Sequence, residues 1–135
     1  MEDRKAELLK RRAEREKAEE QRLEGYELEV LELEDKFSSE GRRGQTFEIL
    51  ELDDIGEPPV VLRVNIPGIR AMQKAYASSK GDDADQDALV VRCLAHPEPA
   101  EFRAIVARRP LVMDYALATI SKLLGGMASL RQKKR

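Results

Sequence analysis

A chain of 135 residues can bury one modest hydrophobic core and carry an extension, but it cannot fill two full domains. Charged residues make up 37% and apolar ones 41%, yet the formal net charge is only −2, which excludes the basic surplus of a phosphate-binding domain. With no Trp, three Phe, three Tyr and a single Cys, base-stacking platforms are scarce, and neither an intrachain disulfide nor a zinc cluster can be built. No run approaches the roughly 18 apolar residues of a membrane span, and the charged start lacks the apolar stretch of a signal peptide. The expected setting is therefore a cytoplasm, with neither nucleic acid nor a membrane as partner.

Residues 1–24 are almost all Glu, Lys, Arg, Ala and Leu, without Gly or Pro, and predict a charged helical extension. Opposite charges four apart, such as Glu7 and Arg11 or Arg12 and Glu16, support it by a few tenths of a kcal/mol each. Leu8, Leu9 and Leu23 are too few to make a continuous apolar stripe. Gly25 is expected to end this helix. From Tyr26 to Asp35 apolar and acidic residues alternate, the period of a half-buried strand, although the same residues also suit a continued helix. Thr46 to Ile55 repeats the pattern: Glu29-Val-Leu-Glu-Leu-Glu-Asp35 lies almost unchanged over Glu48-Ile-Leu-Glu-Leu-Asp-Asp54. A polar loop with Gly41 and Gly44 separates the two. After Pro58-Pro59, the β-branched run Val60 to Ile66 predicts another strand, bounded by Pro67-Gly68.

The second half reads as helical. A short helix is expected over Ile69 to Ala77, then an acidic linker, Ser78 to Asp85, whose last Asp is a candidate N-cap. Gln86 to Ala95 resumes the helix until His96-Pro97 stops it. Glu98 to Arg108 follows, with Phe102, Ile105 and Val106 inward. After Pro110, Leu111 to Leu124 is the most apolar helix, expected to close at Gly125-Gly126. The sequence thus predicts an α+β domain over about 25–126, with a small antiparallel sheet of two or three strands (26–66) and a bundle of short helices (69–125). The charged helix precedes it, and a basic, disordered tail (127–135) follows.

Groups able to carry chemistry are sparse. His96, the sole histidine, is expected to pack a turn, and Cys93 to be a buried thiol on an apolar helical face. Asp53-Asp54 and Asp82-Asp83 read as solvated turn acids without the remaining ligands of a calcium loop. The two arginines between Gly41 and Gly44 are not followed by a phosphate-binding GxxxxGK. No cofactor, no metal and no enzymatic activity are expected. The informative feature is the last helix, where Val112, Met113, Ala116, Leu117, Ile120, Leu123 and Leu124 span an arc of roughly 140°. That width suggests apolar surface beyond the needs of so small a core. Met113, Leu117, Ile120, Leu123 and Leu124 are the candidate partner-binding residues, with Met113 and Met127 as pliable side chains.

The order of elements resembles the tail assembly chaperones of long-tailed bacteriophages. The likeness covers about Thr46 to Gly126. It lies in Ala88-Leu-Val-Val-Arg-Cys-Leu-Ala-His-Pro97, in the Glu-Phe helix Ala100-Glu-Phe-Arg-Ala-Ile-Val106, and in the Pro-initiated helix whose Tyr115 to Gly125 echoes Leu-Ala-x-x-Leu-x-x-Leu-x-Gly. The resemblance implies a protein of the host cytoplasm that binds the tape measure protein, keeps it soluble, helps recruit tail tube protein and is absent from the mature virion. It also implies a longer product made by ribosomal frameshift, and leaves self-association open. The charged helix lies outside the resemblance. A virion structural or head–tail adaptor protein is the second reading.

Overall fold

Tyr26, Val30, Leu33 and Phe37 are spaced four, three and four apart, which places them on one face of a helix and not on one face of a strand. In the computed structural model, which describes residues 2–78 and 82–133 with side chains through residue 126, a single helix α1 accordingly runs Glu2–Phe37. Val30, Leu33 and Phe37 are buried along it, so the strand expected over 26–35 is helix instead. Gly25 does not stop it. A mid-helix glycine costs about 1 kcal/mol relative to alanine, less than the surrounding Glu, Leu and Arg residues and the buried second half supply. A Cβ placed at Gly25 would meet nothing within 4 Å. Gly25→Ala is therefore expected to stabilise the protein by up to about 1 kcal/mol, read as a rise in the thermal midpoint.

The sheet is antiparallel, in the order β1 (Phe47–Leu50), β2 (Val60–Arg63), β3 (Leu94–His96). Phe47 pairs with Arg63 and Leu50 with Val60, while Val61 pairs with His96 and Leu62 with Leu94 across a register shift. The third strand thus comes from the end of the expected helix 86–95. The backbone turns extended at Leu94, and the residue before Pro97 disfavours helix, which frees this short segment to satisfy the second edge of β2. The turn from α1 to β1 needs a glycine at Gly41, where φ is 146° and a Cβ would fall 2.2 Å from the Thr46 hydroxyl oxygen.

Alternation along β2 divides the core. Val61 joins Phe47, Ile49, Val30, Leu33 and Phe37 on one face, and the Phe37 and Phe47 rings meet with centroids 6.2 Å apart. Val60, Leu62 and Val64 join the other face with residues of the remaining helices. The arrangement is three layers, α1 on one side of the sheet and the bundle on the other, and it explains why β2 reads as an unbroken apolar run. Tyr26 fastens α1 further: its hydroxyl accepts a 2.7 Å hydrogen bond from the Leu52 amide, and burial pushes its pKa up to about 12.

The bundle comprises α2 (Ile69–Ser78), α3 (Asp83–Cys93), α4 (Pro99–Arg108) and α5 (Leu111–Lys133). Asp82, not Asp85, caps α3, its carboxylate accepting from the Ala84 amide at 3.0 Å. This choice leaves Asp83 and Asp85 in the first turn, where the positive helix end favours them. Of the expected linker, residues 79–81 lie outside the described residues. Helix α5 passes through Gly125-Gly126, again without left-handed glycine geometry, so neither the helix stop nor a disordered segment begins at 127. Lys134 and Arg135 of the basic end, and the Met127 side chain, fall outside the described part.

Candidate functional site

Helix α5 follows Pro110, and its first amides donate to the carbonyls of Arg109 and Pro110. Its buried side is Val112, Ala116, Ile120, Leu123 and Leu124, packed with Phe102 and Ile105 of α4 and with β2. Of the five residues expected to bind a partner, Ile120, Leu123 and Leu124 are therefore enclosed in the chain's own core. Met113 and Leu117 are half-buried against the same core. The wide arc is consumed because the helix borders three neighbours (β1, β2 and α3) as well as α4.

The outer side of α5 carries apolar surface that the arc did not include. Leu111 is 61% and Tyr115 46% exposed. One turn apart, they project together, on the side away from Ile120 and Leu123. With Ile55, Pro110, Arg108 and Arg109 they line a shallow groove of about 270 Å³. Ile55 belongs to a short 3₁₀ turn, Asp53–Ile55, which ends at Gly56 with φ 72°. The cationic rim is held in place from below. Arg108 donates two hydrogen bonds, 3.1 and 2.8 Å, to the buried carboxylate of Glu57, and Arg109 approaches the same group at 3.9 Å. These bonds hold the Glu57 carboxyl below its ordinary value, against the opposing effect of burial. An apolar floor with a fixed guanidinium rim suits an apolar helical face flanked by carboxylates. The spacing of Leu111 and Tyr115 by four is the signal the sequence carries, and the longer apolar stripe on the other side of the helix masks it.

Residues with chemical potential sit elsewhere. Cys93 is fully buried, and burial pushes its thiol up to about 12, which makes it a poor nucleophile. His96 is half-buried in β3, opposite Val61. Asp53 pairs with Arg22 of α1 and Asp82 caps α3, so both acids have local roles. Arg43, between Gly41 and Gly44, clamps α1 to the sheet. It bonds Glu48 at 3.0 Å, Glu51 at 2.9 Å, the Ile49 carbonyl at 3.2 Å and Glu34 at 3.4 Å. Among the described residues no three His, Cys, Asp or Glu side chains are grouped to hold a metal ion, and no helix is long and apolar enough to cross a membrane.

Exposed apolar side chains are also distributed along α1. Residues 2–25 are exposed throughout, and Leu8, Leu9, Leu23, Leu28 and Leu31 are among the large apolar side chains left in solvent. No family model and no curated protein matches the sequence, and no solved structure matches the fold.

Proposed function

We propose that this chain is a phage tail assembly chaperone that holds the tape measure protein at the Leu111–Tyr115 groove. The observation that carries the reading is an exposed i, i+4 apolar pair on the final helix, beside guanidinium groups already anchored by Glu57. Single exposed apolar residues are ordinary, but paired ones over a groove with a fixed charged rim have the form of a helix-docking surface. The order β1, β2, α3 ending at Cys93, the His96-Pro97 turn, α4 and the Pro-led α5 is compatible with the resemblance to tail assembly chaperones.

The physics of the task fits a small groove. A tape measure protein is long and largely helical, and its apolar stripes stay uncovered until the tail tube encloses them. A partner that covers one turn or two at a time binds weakly at each place and leaves readily, because so small an area yields little beyond the cost of association. Many copies along one helix would keep it in solution and give way to tube subunits. A frameshifted longer product would add a second module to the same groove.

Co-expression with the tape measure protein tests the reading. The chain is expected to move that protein from the insoluble to the soluble fraction, and mass spectrometry of purified particles should then find no copy of the chain. Its presence in particles at stoichiometric levels would instead support a virion structural or head–tail adaptor role, a reading that the 36-residue α1 favours.

A further inference from the structure

Helix α1 is divided in charge. Residues 4–17 hold seven cations and three carboxylates, whereas residues 19–35 hold eight carboxylates and one arginine. The face of α1 turned to the sheet is fixed by Tyr26, Val30, Leu33 and Phe37. At 100° per residue, an arc about 100° wide, centred roughly 140° from that stripe, carries Ala6, Leu9, Lys10 and Lys17 in the basic half and Glu20, Glu27, Leu28 and Leu31 in the acidic half. All of these are exposed, and among the described residues no ion pair within the chain engages Lys10, Lys17, Glu20 or Glu27.

We propose that two copies of this chain pair through these outward faces of α1, with the helices antiparallel. A two-fold axis passing midway between Ala18 and Glu19 sets Leu9 against Leu28 and Ala6 against Leu31 of the second copy. The same axis sets Lys10 against Glu27 and Lys17 against Glu20. Every one of these matches occurs twice, as the symmetry of an isologous dimer requires. A parallel arrangement would lay the basic halves together and the acidic halves together, and like charges along a shared seam oppose association. The domain does not obstruct the pairing, because the sheet lies on the other side of α1. Overlap along residues 3–34 extends for about 48 Å, and it gives the protruding first half of α1 an apolar contact that its own domain lacks. Leu8 and Leu23 lie off this face and take no part.

Sedimentation of the full chain at micromolar concentration and low salt is expected to give twice the chain mass, with the dimer weakening as salt rises. Lys10→Glu combined with Lys17→Glu should raise the dissociation constant at least about tenfold, and mixing that variant with Glu20→Lys/Glu27→Lys should restore association between the two. The substituted side chains are exposed, so circular dichroism should be unchanged. Orientation is read from cysteine cross-linking: Leu9→Cys chains should join Leu28→Cys chains, and neither should join itself. A monomer at these concentrations, or a Leu9→Cys chain that cross-links to itself, would overturn the proposal. No residue of α1 lines the groove at Leu111 and Tyr115, so neither outcome bears on tape measure binding.

Discussion

Ile120→Asp is expected to leave the chain unfolded. Ile120 is 1% exposed and belongs to the same buried apolar cluster as Val112, Ala116, Leu123 and Phe102. Placing an acid there removes the transfer energy of a large aliphatic side chain and adds the cost of burying an unpaired polar group, together several kcal/mol. Small domains have only about 5–15 kcal/mol in total, so the native state would lose most of its margin. Ile120→Ala should cost about 2–5 kcal/mol and leave a weakened but cooperative urea transition. Leu117→Asp, at a half-buried position, should fall between the wild type and Ile120→Asp. A folded Ile120→Asp protein would show that α5 is not packed as described. Loss of partner binding in this variant would therefore report on the core and not on a docking surface.

Removing residues 1–24 should leave a cooperatively folding domain, whereas removing residues 1–37 should abolish it. The first segment is exposed along its length and is tied to the domain through Arg22 and Asp53, a surface pair of the kind that contributes little. The second deletion also takes Val30, Leu33 and Phe37, which cover Phe47, Ile49 and Val61 on one face of the sheet. Each large buried side chain is worth about 1.5–3 kcal/mol of burial, and the uncovered sheet face would lose its own share as well. Thermal melting of the two truncated proteins separates these outcomes. Equal melting of both would mean that α1 does not act as a layer of the fold.

The pair of near-identical segments shows what the sequence could and could not tell. Glu29 to Asp35 is helix throughout, while its match Glu48 to Asp54 is strand as far as Leu50 and enters a 3₁₀ turn at Asp53, so the shared pattern did not decide its own conformation. The deciding residues lie outside both segments. Tyr26 and Phe37 complete a helical stripe with Val30 and Leu33, and an already formed helix extends into the first segment at little cost. The second is preceded by Gly44 with φ 88° and lies beside the β-branched Val60-Val61, which favours pairing. Strand β2 and helices α2 and α4 were legible because their boundaries carry Pro or Gly. Strand β3 was not, since three residues are stabilised by the vacant edge of β2 more than by their own propensity. The wide apolar arc of α5 is legible in the sequence, but its division between core and surface is not: amphipathicity gives a direction, and only the number of neighbouring elements says how much of it is covered. The groove itself depends on Ile55 and on the Glu57 that anchors Arg108, which is 51 residues away in sequence, a proximity no local pattern records.

The Leu111–Tyr115 groove is the proposed docking place for another protein. Its most direct test is co-purification of the tape measure protein with the wild-type chain and with Leu111→Glu/Tyr115→Glu. Both positions are exposed, so the double variant should keep its melting behaviour to within about 0.5 kcal/mol per site while losing the bound protein. Retention of the tape measure protein by a folded double variant would contradict the assignment.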